Sequence, residues 1–383
     1  METESRSPMH PRYWHYWLSL LLCAALVPAL RSQHLPLKFD WTTLFVAYWL
    51  FLTAQAIFLA ALLYLIGFPS RQAWEPLVAR YRQTPVRIAF TLLYFAILAW
   101  AIGVTRALAL TVDTIALLEL RDRRQLSGVR HAAAAIVPPA AYFFFGFLMV
   151  LAYNCAIVSV RFNFANDPAL AAIDRWLLHG HSVGDIAHWA VHVFPLSFFR
   201  FLEFIYFGMF PQIGAAMILV ALCLGRHRAL QLVGTLLMSY YLALAVFYLW
   251  PSQGPYYLCP NHFSRFPASL QAYTIQKTLI SDAMARWHHE LLTRIPTDYF
   301  IGLPCMHVAQ PLIVIWFLRR WRRIVIALAA YDVLLVAAII MLEWHYIIDI
   351  IAGVFVAAMA IVIVDWPFRR ENVQSSAPAG ATG

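Results

Sequence analysis

Residues Ile324–Trp366 read IVIALAAYDVLLVAAIIMLEWHYIIDIIAGVFVAAMAIVIVDW. They contain two long apolar runs, Ile324–Met341 and Tyr346–Trp366, joined by a short polar turn at Glu343–His345. An α-helix needs about 20 predominantly apolar residues to cross the hydrocarbon core of a bilayer. The stretch therefore predicts two membrane-spanning helices connected by a tight turn at one membrane face.

The composition of the whole chain supports this interpretation. The 383 residues are 62% hydrophobic and 12% charged, against about 45–50% apolar and about 25% charged residues in soluble globular proteins. A water-soluble protein of this size cannot bury so much apolar surface, and a disordered chain is far more polar. A soluble α/β enzyme, a nucleic-acid-binding protein and a disulfide scaffold are therefore excluded.

About nine membrane spans are predicted in all, so the expected fold class is an all-α polytopic transmembrane helical bundle. Six spans form a core over residues 132–366, and about three form an N-terminal extension over residues 1–131 whose topology the sequence leaves open. Residues 367–383 are expected to be a disordered cytoplasmic tail. The spans predicted before Ile324 are Tyr13–Leu30, Trp41–Ser70, Ile88–Leu118, Ala132–Val160, Phe204–Gly225, Ala229–Pro260 and Tyr299–Leu318.

Basic clusters orient the six core spans. The clusters fall in every second connection, and Lys and Arg accumulate on the cytoplasmic side of membrane proteins. The remaining connections, among them the long loop Pro251–Gly302 and the turn at Glu343–His345, then face outward. We therefore expect an integral protein of the plasma or inner membrane. The clusters are Arg121–Arg130, Gly225–Arg228, Arg319–Arg323 and Arg369–Arg370.

Two histidines and an aspartate are expected to converge on the outer face. His307 lies in GLPCMHVA (Gly302–Ala309) at the start of the seventh span, and His345 and Asp349 lie at the start of the ninth. Because His345 and Asp349 share one helix face, the carboxylate can hold one imidazole nitrogen and leave the other free to attack. A second histidine can protonate a leaving group. This set favours phosphoryl transfer through a phosphohistidine, and the alternative is a set of polar residues that hold helices together.

These segments resemble the type 2 phosphatidic acid phosphatase superfamily, and within it the inositolphosphotransferase branch that includes inositol-phosphorylceramide synthases. GLPCMHVA is similar to the G-x-P-S-x-H segment of that branch, and HYIIDIIAG (His345–Gly353) is similar to its H-Y-x-x-D-x-x-A-G segment. YLWPSQGPYY (Tyr248–Tyr257) resembles the proline-rich end of a span before a long outer loop. IDRWLLHG (Ile173–Gly180) is similar to the helix that precedes the second core span. The resemblance covers residues 132–366 and implies a six-helix bundle with an extracytoplasmic active site.

The resemblance also implies a role for each motif residue. His345 would be the nucleophile, Asp349 would orient it and stabilise its charge, and His307 would be the general acid and then the base. No metal and no cofactor are implied. The implied substrates are a membrane lipid donor, such as phosphatidylinositol or a lipid phosphate, and a water, alcohol or lipid hydroxyl acceptor, with no nucleic acid.

Two departures from the family bear on how a phosphate is held. Cys305 stands where the family usually has a serine, and a thiol is a weaker hydrogen-bond donor. Ile339 stands where the phosphatase branch has an arginine, and the Lys-x6-Arg-Pro segment of that branch is missing. The inositolphosphotransferase branch lacks both features, which favours it over a plain phosphatase. The candidate substrate-binding residues are Cys305 and four cations of the long outer loop, Arg265, Lys277, Arg286 and Arg294.

The sequence thus predicts an integral membrane enzyme that transfers a phosphoryl group or a phospho-headgroup from a lipid donor. Two alternatives stay open. One is a lipid phosphate or polyprenyl diphosphate phosphatase. The other is a non-catalytic lipid transporter or membrane scaffold, which ionisable residues inside spans and the replacement at Cys305 would suit.

Overall fold

The computed structural model describes residues 126–161, 166–258, 270–277 and 302–375, with a few isolated positions before residue 97. Every regular element within these ranges is helical, which confirms the predicted fold class. The helices are α1 (Leu126–Arg161), α2 (Asp167–Leu177), α3 (Val183–Val193), α4 (Leu196–Phe207), α5 (Met209–Leu224), α6 (Arg226–Leu249), α7 (Pro255–Leu258), α8 (Met306–Leu318), α9 (Arg322–Met341) and α10 (Ile347–Ser375).

Four of the described helical segments are long and apolar enough to cross a membrane. They are Leu196–Leu224, Arg226–Leu249, Arg322–Met341 and Ile347–Asp365. Two shorter apolar helices cover Ala132–Phe147 and Met306–Leu318. These six segments correspond to the six predicted core spans. Apart from isolated positions, the three spans predicted for the N-terminal extension lie outside the described residues, and the predicted domain division stays a prediction.

The helix bounds differ from the predicted spans at three places. The seventh span begins as a helix only at Met306, because Leu303 precedes a proline and such a residue is disfavoured in the α conformation. The second core span begins at Leu196 rather than Phe204, since the helix tolerates charged residues in its first turns. The last helix continues to Ser375, so the first part of the predicted disordered tail is helical.

Residue contacts divide the chain into two compact units. One comprises residues 1–47, 141–209 and 230–383, and the other comprises residues 48–140 and 210–229. Within the first unit, α8 packs against both α9 and α10, and α9 packs against α4. The short helix α2 contacts α7 and the start of α10. The first unit therefore contains both GLPCMHVA and HYIIDIIAG, the segments that carry His307 and His345.

Close backbone packing joins α10 to the start of α8. A Cβ atom on Gly353 would overlap the carbonyl oxygen of Cys305, so glycine is needed where the two segments meet. The amide of Cys305 donates to the carbonyl oxygen of Asp349 at 2.9 Å. Beside this contact, Leu170, Leu303 and Tyr346 belong to one buried hydrophobic cluster. These contacts bring the GLPCMHVA and HYIIDIIAG segments side by side.

Candidate active site

His345 lies in the turn between α9 and α10, and its side chain is buried. Its Nδ1 atom is 2.7 Å from the carbonyl oxygen of Gly302 and 3.4 Å from Oδ2 of Asp349. Because both partners are acceptors, Nδ1 carries a proton and Nε2 is the nitrogen left for chemistry. Burial lowers the pKa of His345, but Cys305 and Asp349 outweigh burial and raise that pKa above its ordinary value, so the ring must release its Nε2 proton before that nitrogen has a lone pair.

The predicted pairing of His345 with Asp349 is thus present, but it is the longer of the two contacts. The shorter hydrogen bond goes to the Gly302 carbonyl, which sequence analysis did not identify as a functional group. A backbone acceptor has no residue-type signature, so only its position within GLPCMHVA could have indicated it. The imidazole is therefore oriented by two segments, α10 and the extended approach to α8.

Asp349 occupies the first turn of α10 and is fully buried. Its Oδ2 atom accepts a hydrogen bond from the amide of Tyr346 at 2.9 Å, while its Oδ1 atom has no hydrogen-bond partner among the described residues. The carboxylate consequently both caps the start of its own helix and faces the His345 ring. This geometry suits a group that stabilises positive charge on the imidazole.

His307 lies in the first turn of α8, opposite His345. The centroids of the two imidazole rings are 5.9 Å apart. The ring of His307 stacks on Tyr206 of α4 at a centroid distance of 4.2 Å, and Tyr206 also stacks on Trp344 at 5.1 Å. Sequence analysis did not identify Tyr206, because it lies in an aromatic run typical of a span. The stack fixes the plane of the His307 ring.

Cys305 lies immediately before α8 and is fully buried. One ligand atom each from Cys305, His307 and His345 lies within 4.8 Å of the other two. The structure thus brings together Cys305, His307, His345 and Asp349, all four of the motif residues proposed from the sequence. Their chemical roles stay predictions.

Of the four cations proposed for the long outer loop, Lys277 alone lies in the described part of the chain. Arg265, Arg286 and Arg294 lie outside the described residues. Lys277 is exposed at the end of the helical stretch 271–277. Two neutral groups of the described residues, Oγ of Ser252 and Nε1 of Trp344, are buried and have no hydrogen-bond partner in that part of the chain. A Cβ atom on Gly302 would overlap Ser252, which places that hydroxyl group next to the acceptor of His345.

Asp167 connects the proline-rich segment to the turn that carries His345. Its carboxylate accepts hydrogen bonds from the amides of Gln253 at 3.1 Å and Gly254 at 2.9 Å, and from the hydroxyl group of Tyr346 at 3.2 Å. Burial raises the pKa of Asp167 to about 6, against the effect of these hydrogen bonds. The N-cap of α2 is Asn166, which makes no side-chain capping hydrogen bond. The Asp167 side chain therefore positions a neighbouring loop and does not cap its own helix.

Asp174 caps α10 from a different helix. Its Oδ1 atom accepts hydrogen bonds from the amides of Ile347 at 2.9 Å and Ile348 at 3.4 Å, and burial raises its pKa to about 6. Glu203 of α4 similarly accepts a hydrogen bond from the amide of Ala272 at 2.5 Å. Sequence analysis missed the role of Asp174, since the two partners are separated by 173 residues.

The arrangement can support nucleophilic catalysis with acid–base assistance. One imidazole has its Nδ1 atom held by acceptors and its Nε2 atom available, and a second imidazole lies across from it. Ser252 and Trp344 add buried donors without a partner among the described residues, and a ligand with hydrogen-bond acceptors would satisfy them.

The family model described as the PAP2 superfamily matches residues 168–363, which is more than half of the chain. The matched range includes the four clustered residues, and also Asp174 and Glu203. Searches of curated proteins and of solved structures found no match.

Proposed function

Because this chain belongs to the PAP2 superfamily, we propose that it is a lipid phosphotransferase that works through a phosphohistidine at His345. Membership by itself supports a phosphatase- or phosphotransferase-type function on lipid substrates in a bilayer. The proposal adds the covalent intermediate and transfer to an acceptor other than water. The observation that carries it is the Nδ1 atom of His345, held by Gly302 and Asp349 so that Nε2 is available.

In the first step, the Nε2 lone pair of His345 attacks the phosphorus atom of the lipid donor. The bond from phosphorus to the leaving oxygen breaks, and His307 supplies the proton that the oxygen takes up. Asp349 faces the positive charge that develops on the His345 ring. In the second step, the neutral His307 removes a proton from the acceptor hydroxyl group, whose oxygen attacks phosphorus. The nitrogen–phosphorus bond then breaks and His345 is regenerated.

Two observations support transfer rather than hydrolysis. Ile339, at the position where the phosphatase branch has an arginine, is fully buried and apolar in α9. Among the described residues near His345, Ser252 and Trp344 offer buried neutral donors without a hydrogen-bond partner. This pattern fits the inositolphosphotransferase branch, whose donor is a phospholipid headgroup.

The proposed active site lies on the extracytoplasmic side. Helix α8 begins at the site and ends at the basic cluster Arg319–Arg323, so the two lie at opposite ends of one span. Because basic clusters mark the cytoplasmic side, the site is expected at the outer face.

The test uses purified full-length protein in mixed micelles. Phosphatidic acid, a polyprenyl diphosphate and phosphatidylinositol are each offered with and without ceramide, and free phosphate and new lipids are measured by mass spectrometry. A new lipid that carries the headgroup is the expected result. Phosphate release without a new lipid would instead make the protein a phosphatase.

The intermediate is tested with variants of the two motif residues. His345→Ala and Asp349→Asn should lose turnover, and an acid-labile phosphate should form on the wild type but not on His345→Ala. The matched control is His181→Ala, because His181 is an exposed histidine just before α3. Size-exclusion chromatography and thermal unfolding check that each variant folds. A folded His345→Ala protein with full activity would refute the proposed nucleophile.

A further inference from the structure

The residue that departs from the family motif completes a set of metal-ligating side chains. Cys305, His307 and His345 each offer one ligand atom, and these atoms lie within 4.8 Å of one another. Thiolate and imidazole are the ligands that Zn²⁺ prefers, and exchangeable sites commonly have three protein ligands and one open position. Ligand atoms around tetrahedral Zn²⁺ are roughly 3.5 Å apart. A contraction of about one ångström, within reach of side-chain rotation, would close the cluster around an ion.

The surroundings of the two histidines already suit metal binding. Histidines that bind metals usually donate their other N–H group to a carboxylate or a backbone carbonyl. Nδ1 of His345 has both kinds of acceptor, at 3.4 Å in Asp349 and 2.7 Å in Gly302, so Nε2 is left to coordinate an ion. Nδ1 of His307 is buried and has no hydrogen-bond partner among the described residues. That nitrogen therefore offers the cluster either an unused lone pair or an unused N–H group.

We propose that Cys305, His307 and His345 bind one Zn²⁺ ion, and that the ion reversibly inhibits phosphoryl transfer by occupying Nε2 of His345. Binding would release the Cys305 thiol proton, because the ligand is the thiolate. A serine at this position, as in the family motif, supplies a much poorer Zn²⁺ ligand. The proposed Zn²⁺ site therefore depends on the cysteine of this chain and is not expected from the family motif. The inhibition rests on the function proposed above, whereas the binding does not.

Metal binding is measured on the full chain in detergent after removal of metals. Zn²⁺ is titrated by calorimetry, and Co²⁺ is titrated by absorption, because tetrahedral Co²⁺ with a thiolate ligand gives a distinctive charge-transfer band. The wild type should bind one ion per chain. Cys305→Ser should lose the charge-transfer band and bind Zn²⁺ at least about tenfold more weakly. The matched control is Cys223→Ser, which replaces an exposed free cysteine and should bind like the wild type.

Inhibition is measured for each protein relative to its own metal-free activity. Zn²⁺ should suppress turnover of the wild type and of Cys223→Ser, EDTA should restore it, and Cys305→Ser should need at least about tenfold more Zn²⁺. If Cys305→Ser does not fold, His307→Gln provides a second variant for the Zn²⁺ calorimetry and the Co²⁺ absorption. Equal Zn²⁺ affinity and an unchanged Co²⁺ spectrum in Cys305→Ser would overturn the site. Zn²⁺ binding without loss of turnover, or activation by Zn²⁺, would overturn the inhibition. If no lipid substrate is found, calorimetry and Co²⁺ absorption still test the site.

Discussion

Helix α10 carries Asp349 and begins two residues after His345, and its first amides are capped by a different helix. Asp174 of α2 accepts hydrogen bonds from Ile347 at 2.9 Å and from Ile348 at 3.4 Å. The first four amides of a helix have no partner within the helix, so this carboxylate fixes where α10 starts relative to α2. We expect the position of the His345 ring to depend on it.

The magnitude follows from the burial of the cap. Removing a capping side chain costs about 0.5–2 kcal/mol, and Asp174 is fully buried, so water cannot replace it easily. We therefore expect Asp174→Ala to cost about 2 kcal/mol, the upper end of that range. That free energy corresponds to a factor of about thirty in the balance between the capped and frayed first turn of α10. If only the capped form is active, turnover falls by up to about thirtyfold.

The assay compares kcat and KM for the lipid donor in Asp174→Ala, Asp174→Asn and a matched control. Asp174→Asn keeps one carbonyl acceptor and should recover part of the loss. The control is Asp185→Ala, since Asp185 caps α3 in an exposed capping box with Ser182; it should lose stability but little turnover. Full kcat in Asp174→Ala would refute the reasoning, and an equal loss in Asp185→Ala would assign the effect to general destabilisation.

Three further predictions test other contacts of the site. Gly353→Ala should lose most turnover and melt at a lower temperature in detergent, because its Cβ meets the carbonyl oxygen of Cys305; Gly146→Ala, whose Cβ meets only a flexible leucine side chain, should lose less. Trp344→Phe keeps an aromatic side chain and removes a buried donor, so KM for the lipid donor should rise by about tenfold if that N–H binds phosphate, and an unchanged KM excludes that role. Burial raises the pKa of Asp167 to about 6, so the folded state binds its proton more tightly than the unfolded state. The melting temperature of the wild type relative to Asp167→Asn should therefore fall as pH rises from about 4 to about 6 and then level off; a rise would contradict it.

Apolar run length predicts the six core spans because hydropathy is a local property of the chain. Their ends are less predictable. The second core span extends back to Leu196 through Arg200 and Glu203, whose charges end the apolar run in the sequence. Glu203 is tolerated there because its carboxylate accepts a hydrogen bond from the amide of Ala272. No local sequence pattern indicates that partner.

In the candidate site, too, some features could be predicted from the sequence and others could not. His307, His345 and Asp349 could be placed together because both motifs begin spans at one face of the membrane. The acceptor that lies nearest Nδ1 of His345, the Gly302 carbonyl, could not be predicted, since every residue has such a group. The stack of Tyr206 on His307 likewise depends on how α4 packs beside α8.

The rigidity of the site comes largely from residues outside the two histidine motifs. Helices in a bilayer gain little from burying apolar surface against one another, because lipid tails are equally apolar. Specific hydrogen bonds must then hold the loops and the helix starts at the membrane face. Asp167, Asp174 and Glu203 supply them, each accepting a backbone N–H group from another segment. Hydrogen bonds to an ionised acceptor are stronger than neutral ones, and a buried carboxylate is costly unless it is satisfied. Removing such a carboxylate should therefore displace the histidine side chains more than the membrane-spanning helices.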